Sequence, residues 1–399
     1  MLTMNRRLPW SLLLASLTLN VMYAAVAGVL VPAQIATASP GDKETHLAVV
    51  MTASSVLTMI VHPWVGALSD RTRSPLGRRT PWIVGGALAS AVALVALGRA
   101  ESVVMIALGW LVVQPLLNVV EAPLDAVVAD RVPAGERPRA SAFYGGGAAL
   151  GLALGAGAAG LTVAHLSSTY AVLAVLLVIG MAGFVLANRE RVTPSAPRRS
   201  RPALAAWRDR DFRLVLLGRF VLVLGHQLVM GYLLYLVMDR TGGGPEEAGR
   251  VVTLLVGAHI AALVLGAVVA GRRVKGARVR WVLIATAVIV SGLLLALLLP
   301  GLAGLVAYAV VAGIGRGLYL TADLALMLDV LPSREDHGRD LGVLGLATIV
   351  PQSLAPAIAG LVLALTGNAY DALLVCAIVG VGLSAVFIAR IIPAVETTR

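Results

Sequence analysis

The sequence predicts an all-α integral membrane protein: twelve transmembrane helices in two pseudo-symmetric six-helix bundles, with both chain termini cytoplasmic. Three observations predict it. Hydrophobic residues make up 58% of the 399 residues and charged residues 13%, against roughly 45–50% and about 25% in soluble domains. The apolar residues gather into twelve runs, each near the roughly 20 residues that a bilayer-crossing helix needs. The basic residues alternate from gap to gap. Of 32 lysines and arginines, 26 lie in the alternate gaps that include both termini; four (Lys43, Arg99, Arg240 and Arg250) lie in the opposite set; two, Arg219 and Arg316, lie inside runs. That alternation is the positive-inside pattern and puts the arginine-rich gaps in the cytoplasm. It also accounts for the net charge of +11 without a nucleic-acid partner. A soluble enzyme, a nucleic-acid reader and a disordered regulator are excluded on the same composition.

The runs lie at 8–31, 47–69, 80–99, 102–129, 140–164, 167–187, 213–238, 247–270, 280–299, 302–329, 340–364 and 369–392. The first follows Arg6 and Arg7 and precedes Ala36-Thr-Ala38, a pattern that resembles a secretory signal. Its apolar stretch is longer than the roughly 7–15 residues of a signal core, so it is expected to be a retained helix. It carries Asn20 and Tyr23. The second ends at Asp70, and the third opens on Thr80-Pro81, an N-cap with proline at the first helical position.

The fourth run holds Asn118, Glu121 and Asp125. The spacing i, i+3, i+7 puts all three on one helix face. Ionisable groups inside a span are costly and face a cavity or a partner. Water exclusion favours the neutral form of a carboxylic acid, so these carboxylates are candidates for carrying a proton. For Glu121 an ion pair with Arg219 or Arg316 is the competing reading, and the two are compatible; for Asp125 the competing reading is a place in the cytoplasmic charge network. The fifth run has Gly147, Gly151 and Gly155 at four-residue intervals, a ladder that lets another helix approach closely. The sixth is followed by the longest gap, 188–212, rich in arginine and containing Pro194, Pro197 and Pro202. The chain therefore divides into an N-terminal bundle (1–187), a cytoplasmic linker (188–212) and a C-terminal bundle (213–399).

In the second half, the seventh run carries Arg219, His226 and Gln227, and the eighth His259. The tenth carries Arg316 near its middle, then Tyr319 and Asp323. Arg316 could hold a hydroxyl-rich or anionic solute with its forked donors, or pair with an acid. The eleventh has Pro351 and Pro356 around Gln352, where proline disturbs the helix. The twelfth contains Cys376, the one cysteine, which forms no intrachain disulfide.

The halves repeat. Residues 66–82, GALSDRTRSPLGRRTPW, match 266–281, GAVVAGRRVKGARVRW, with Gly66 on Gly266 and Trp82 on Trp281. Residues 129–139 match 328–339, with Asp130 on Asp329, Pro133 on Pro332 and Arg139 on Arg339. Parallel six-helix repeats are a recurrent transporter plan, with the solute site near the midplane where the repeats meet.

The segment Gly66 to Arg71, continued through Gly77-Arg78-Arg79, resembles the loop signature of the major facilitator superfamily. The fuller LSDRTRSPLGRRTPWI is similar to the sucrose–proton symporters and the wider glycoside–pentoside–hexuronide cation symporters. Ala122-Pro123, Ala129-Asp130 with Arg137 and Arg139, and the stretch from Asp323 to Pro332 are similar to the same group. The resemblance covers nearly the whole chain. It implies alternating access driven by a proton gradient, with sodium as the alternative ion, and a sugar or glycoside as solute. It implies gating by Gly66, Asp70, Arg71, Arg78, Arg79, Asp130 and Arg139. Glu121 and Asp125 are the expected proton-coupling residues. Asn20, Tyr23, Asn118, His226, Gln227, Arg316, Asp323 and Gln352 are the expected substrate-binding set. The second half has Ala270 in place of Asp70, so any gate there must differ. The expected setting is a bacterial inner membrane, with membrane lipid as partner and a monomer as the working unit. Proton-coupled efflux of a drug or natural product is the alternative function.

No G-x-x-x-x-G-K-[ST] loop for ATP is present. No metal-ligand cluster or nucleophile triad stands out, so no cofactor, no metal and no catalytic residue are expected.

Overall fold

A computed structural model describes residues 7–133, 136–188, 209–273, 277–329 and 337–391. Most of the expected linker, and Pro332 of the repeat, lie outside these residues, as do the side chains of Asp329 and Arg339.

Twelve long helices are present among the described residues, one for each apolar run. They are α1 (Arg7–Ala38), α2 (Lys43–Arg71), α3 (Thr80–Leu97), α4 (Val103–Arg131), α5 (Arg137–Thr162) and α6 (Leu166–Ala187), then α7 (Arg210–Met230 continued by Leu233–Thr241), α8 (Pro245–Arg273), α9 (Arg278–Leu298), α10 (Gly301–Asp329), α11 (His337–Leu365) and α12 (Tyr370–Ala389). By length and composition they form eleven apolar stretches able to cross a membrane, because α5 and α6 run together as Arg139–Ala187. The chain is a multi-pass, all-helical membrane protein.

Two helices depart from plain α geometry. The first extends past the expected end at residue 31: it winds through a π-helical turn at Val26–Leu30 and resumes as Val31–Ala38. The seventh is interrupted at Gly231 and Tyr232. The α-helical run of α11 continues through Pro351 and Pro356.

The residues form two compact units. One is Met1–Ser195 with Gly243–Thr253; the other is Ala196–Gly242 with Leu254–Arg399. In lipid there is no hydrophobic drive between helices, so close packing and hydrogen bonds hold each unit together. The glycine ladder shows this in the first unit. A Cβ at Gly147, Gly151 or Gly155 would lie 2.2, 2.4 or 2.5 Å from the carbonyl oxygens of Leu13, Leu17 and Val21. The backbones of α5 and α1 therefore touch over two turns, which only glycine permits. In the second unit Gly266 and Gly313 hold α8 against α10, with Cβ positions 2.2 Å from the Ile314 carbonyl and 2.6 Å from the His259 carbonyl.

Candidate functional site

The α1–α5 seam fixes Tyr23 beside α4, and there the first unit assembles a polar network. The Tyr23 hydroxyl donates to Glu121 Oε2 at 2.8 Å. Asn118, one turn earlier on α4, donates through Nδ2 to the Tyr23 oxygen at 3.1 Å and to the Gln114 carbonyl at 2.9 Å. His62 of α2 faces the same amide, its Nδ1 lying 2.9 Å from Asn118 Oδ1. An amide oxygen only accepts, so Nδ1 carries the hydrogen in this contact. The bonds thus run in one direction, from His62 through Asn118 and Tyr23 to Glu121. The other ring nitrogen, Nε2, lies 3.9 Å from Asp125 Oδ2. Tyr144 of α5 donates to Asp125 Oδ1 at 2.6 Å.

Four helices therefore contribute to one cluster of two carboxylates, an imidazole, an amide and two phenols. Asn118 is 3% exposed while the Asp125 side chain is 45% exposed, so the cluster runs from the packed interior to an accessible end. Glu121 and Asp125 are one helical turn apart, about 6 Å along the axis. Tyr23, Asn118, Glu121 and Asp125 are brought together. Asn20 bonds the Ser16 carbonyl of its own helix at 2.9 Å instead.

His62 and Tyr144 are not among the residues expected from the sequence. A signal for His62 was available, since it stands in an apolar run as His226 and His259 do. Tyr144 gave none beyond its place ahead of the glycine ladder.

The second unit has a different character. Arg219 of α7 pairs through Nη1 with Asp323 of α10, and through Nε donates to Thr348 Oγ1 of α11 at 3.0 Å. Asp323 is fully buried, so this pair cancels a charge that water cannot reach. Arg219 is thereby accounted for within its own unit. Arg316 is not: within that unit no carboxylate pairs with it among the described residues. Its guanidinium sits 6.0 Å from the Tyr319 ring centroid, and on the same helix the Tyr308 ring lies 6.2 Å, centroid to centroid, from His259 of α8. His226 and His259 stack with centroids 5.9 Å apart and rings 24° from parallel. His259 Nδ1 lies 3.1 Å from the Ala309 carbonyl, which only accepts, so Nε2 is the nitrogen left for another partner. The cluster pairs one cation with aromatic and imidazole faces. Gln227 and Gln352 make no side-chain hydrogen bond among the described residues.

At the arginine-rich end of the first unit, the α2–α3 loop is latched to α4. Gly77 adopts φ +100°, a conformation that disfavours other residues, and the chain then turns into Arg78 and Arg79. Arg79 is 4% exposed. It pairs with Asp70, and its Nη2 and Nε lie 3.0 and 3.2 Å from Asp130 Oδ2. Arg78 reaches the same oxygen at 2.7 Å. Trp82 Nε1 donates to Thr72 Oγ1 at 2.7 Å. Asp70, Arg78, Arg79 and Asp130 thus meet, while Arg71 and Arg139 are exposed and unpaired among the described residues. A Cβ at Gly66 would meet nothing within 4 Å, so the close approach expected of it occurs at its repeat partner Gly266. In the second unit Arg278 donates to the Ala325 carbonyl at 2.9 Å.

The family model described as Major Facilitator Superfamily matches residues 12–239. Among solved structures, the chain is similar to a bacterial homologue of the human lysosomal transporter Spinster, in an inward-facing and occupied conformation. That match has 16% identity and a TM-score of 0.72, with 95% of each chain covered. The same homologue in its inward-facing, unoccupied conformation matches at 15% identity and TM-score 0.68, covering 96% of this chain and 95% of that one. A D-xylose–proton symporter matches at 14% identity and TM-score 0.71, covering 96% and 97%. At such identities these three show the shared fold. With more than half of its length matched by the family model, the chain belongs to the major facilitator superfamily of secondary transporters.

Proposed function

We propose that this transporter is a proton-coupled symporter of a sugar or glycoside in a bacterial inner membrane. The observation that carries the reading is the directional chain of hydrogen bonds ending on Glu121, with Asp125 at its accessible end. Glu121 takes the proton, and Asp125, one helical turn away at the accessible end of the cluster, exchanges it with water. Loading Glu121 alters what its carboxyl group offers Tyr23, so the proton and the packing of α1 on α4 are linked. Asn20, Tyr23 and Asn118 line the solute path in the first unit, and His226, Gln227, Arg316 and Gln352 in the second, while Asp323, buried against Arg219, supports that wall rather than facing the solute. Arg316 and His259 supply a donor and an acceptor for hydroxyl groups. The latch of Asp70, Arg78, Arg79 and Asp130, with Gly66, Arg71 and Arg139 beside it, serves as the gate. The working molecule is a monomer with bundles 1–187 and 213–399 joined by the linker 188–212. The motif LSDRTRSPLGRRTPWI and the shared fold of a sugar–proton symporter support the solute class.

The test is external pH in weakly buffered, de-energised cells expressing the protein, with mono- and disaccharides added in turn. Alkalinisation with a sugar, lost in Glu121→Gln, is expected. No pH change with any sugar, together with reduced accumulation of a lipophilic cationic dye in energised cells, would overturn the reading in favour of efflux.

A further inference from the structure

The first unit has a second feature that the transport reading does not use. An open groove of about 610 Å³ lies between α3 and α6, floored by alanine and valine side chains including Ala91, Val95, Ala174 and Val178. It spans Ala91 to Arg99 on one wall and Ala171 to Ile179 on the other. Each wall is about 12 Å long at the helical rise, most of the hydrocarbon depth of one leaflet. Its one charged lining residue is Arg99, at the arginine-poor end.

That end is fixed by hydrogen bonds. The Ser167 hydroxyl donates to the Gly98 carbonyl at 2.9 Å. Tyr170 donates to Gln34 Oε1 at 2.7 Å, and Gln34 Nε2 donates to the Leu97 carbonyl at 3.1 Å. A Cβ at Gly98 would lie 2.7 Å from Tyr170 Cβ, so the turn carrying Arg99 is seated directly on α6. The mouth is therefore a built edge.

The charge there is uncompensated. Four cations lie on the arginine-poor side. Lys43 pairs with Glu44, Arg240 with Asp371 and Arg250 with Glu246. Arg99 alone of the four holds no carboxylate among the described residues, and Glu101, two residues on, makes no ion pair with it. An apolar trough of leaflet depth with a lone guanidinium at headgroup level complements one kind of molecule.

We infer that the α3–α6 groove is a binding site for an anionic glycerophospholipid of the leaflet on the arginine-poor side. One acyl chain lies along the alanine and valine floor, and the phosphodiester meets Arg99.

The experiment uses the purified full-length protein equilibrated with mixed phosphatidylglycerol and phosphatidylcholine. Retained lipid is identified by native mass spectrometry. The wild type is expected to retain phosphatidylglycerol about fivefold over phosphatidylcholine, the attraction of one arginine for an anionic surface. Arg99→Gln removes the preference and Arg99→Lys keeps most of it. Arg250→Gln, which removes a paired cation from the same side, leaves it unchanged. Val175→Trp, at an exposed residue of the groove, lowers retention of both lipids. Equal retention of the two lipids by the wild type would overturn the inference. So would loss of the preference in Arg250→Gln, which would point to general surface charge. A dimer in the wild type that Val175→Trp dissociates would also overturn it, assigning the groove to a second copy of the chain.

Discussion

The first unit gathers acids and the second gathers cations. In the first, Glu121 and Asp125 share a cluster with His62, Tyr23 and Tyr144, and among the described residues no arginine of that unit pairs with either acid. In the second, the one acid among the predicted site residues, Asp323, is tied to Arg219, and Arg316 stands among aromatic and imidazole rings. On the function proposed above, the first unit supplies the proton-holding acids and the second the Arg316 guanidinium offered to the solute. The loops differ in the same way. Arg79 is held by two carboxylates, while Arg278, its counterpart when Trp82 is set on Trp281, donates to a backbone carbonyl. Two copies of one plan need not keep the same chemistry for the six-helix frame to persist.

The sharpest way to break this contrast is Glu121→Gln. It is expected to abolish proton-driven accumulation while leaving exchange of labelled solute across proteoliposomes. If accumulation survives, the acids of the first unit are not the coupling site. Next, Arg219→Ala leaves Asp323 buried and alone. Breaking such a pair costs about 3–5 kcal/mol, readable as a large fall in the detergent-solubilised melting temperature. The double variant Arg219→Ala with Asp323→Ala should recover most of it, whereas a double variant as unstable as the single would show that packing, not charge, is at stake. The loops come third. Arg79→Ala removes charge-assisted bonds worth roughly 1.5–3 kcal/mol, and Arg278→Ala removes a bond worth about 0.5–1.5 kcal/mol. Equal losses would erase the distinction between the two loops. The smallest effect is Tyr144→Phe, which deletes one donor to Asp125 and should slow proton-coupled uptake only a few-fold. No change in uptake rate would show that the Tyr144 hydroxyl has no part in setting the behaviour of Asp125.

The twelve helices were legible because lipid demands long uninterrupted apolar runs, and a run is visible in one dimension. The face shared by Asn118, Glu121 and Asp125 was legible for a similar reason, since helical spacing is a local property. The latch was legible through its dense arginine and aspartate motif. The partners His62 and Tyr144 were not, because which helices flank α4 is set by tertiary packing. The split between Arg219, paired with Asp323, and Arg316, which pairs with no carboxylate of its unit among the described residues, was hidden for the same reason. Both read as arginines in apolar runs, and only the position of Asp323 against α7 distinguishes them. The interruptions of α1 and α7 were invisible to hydropathy, which does not sense a change of winding.

The π-turn of α1 has a consequence for how this helix tolerates change. Such a turn is an α-helix carrying one surplus residue, and each residue advances the helix by about 100°. Val26–Leu30 therefore acts as a phase shift between two orientations: Tyr23, before it, addresses Glu121, and Gln34, beyond it, addresses Tyr170 and the end of α3. Deleting a single residue within the turn would straighten α1 and make the two orientations incompatible, so that one end or the other must lose its partner. A point substitution there is a local matter, but a one-residue deletion is a rotation of everything on one side of it.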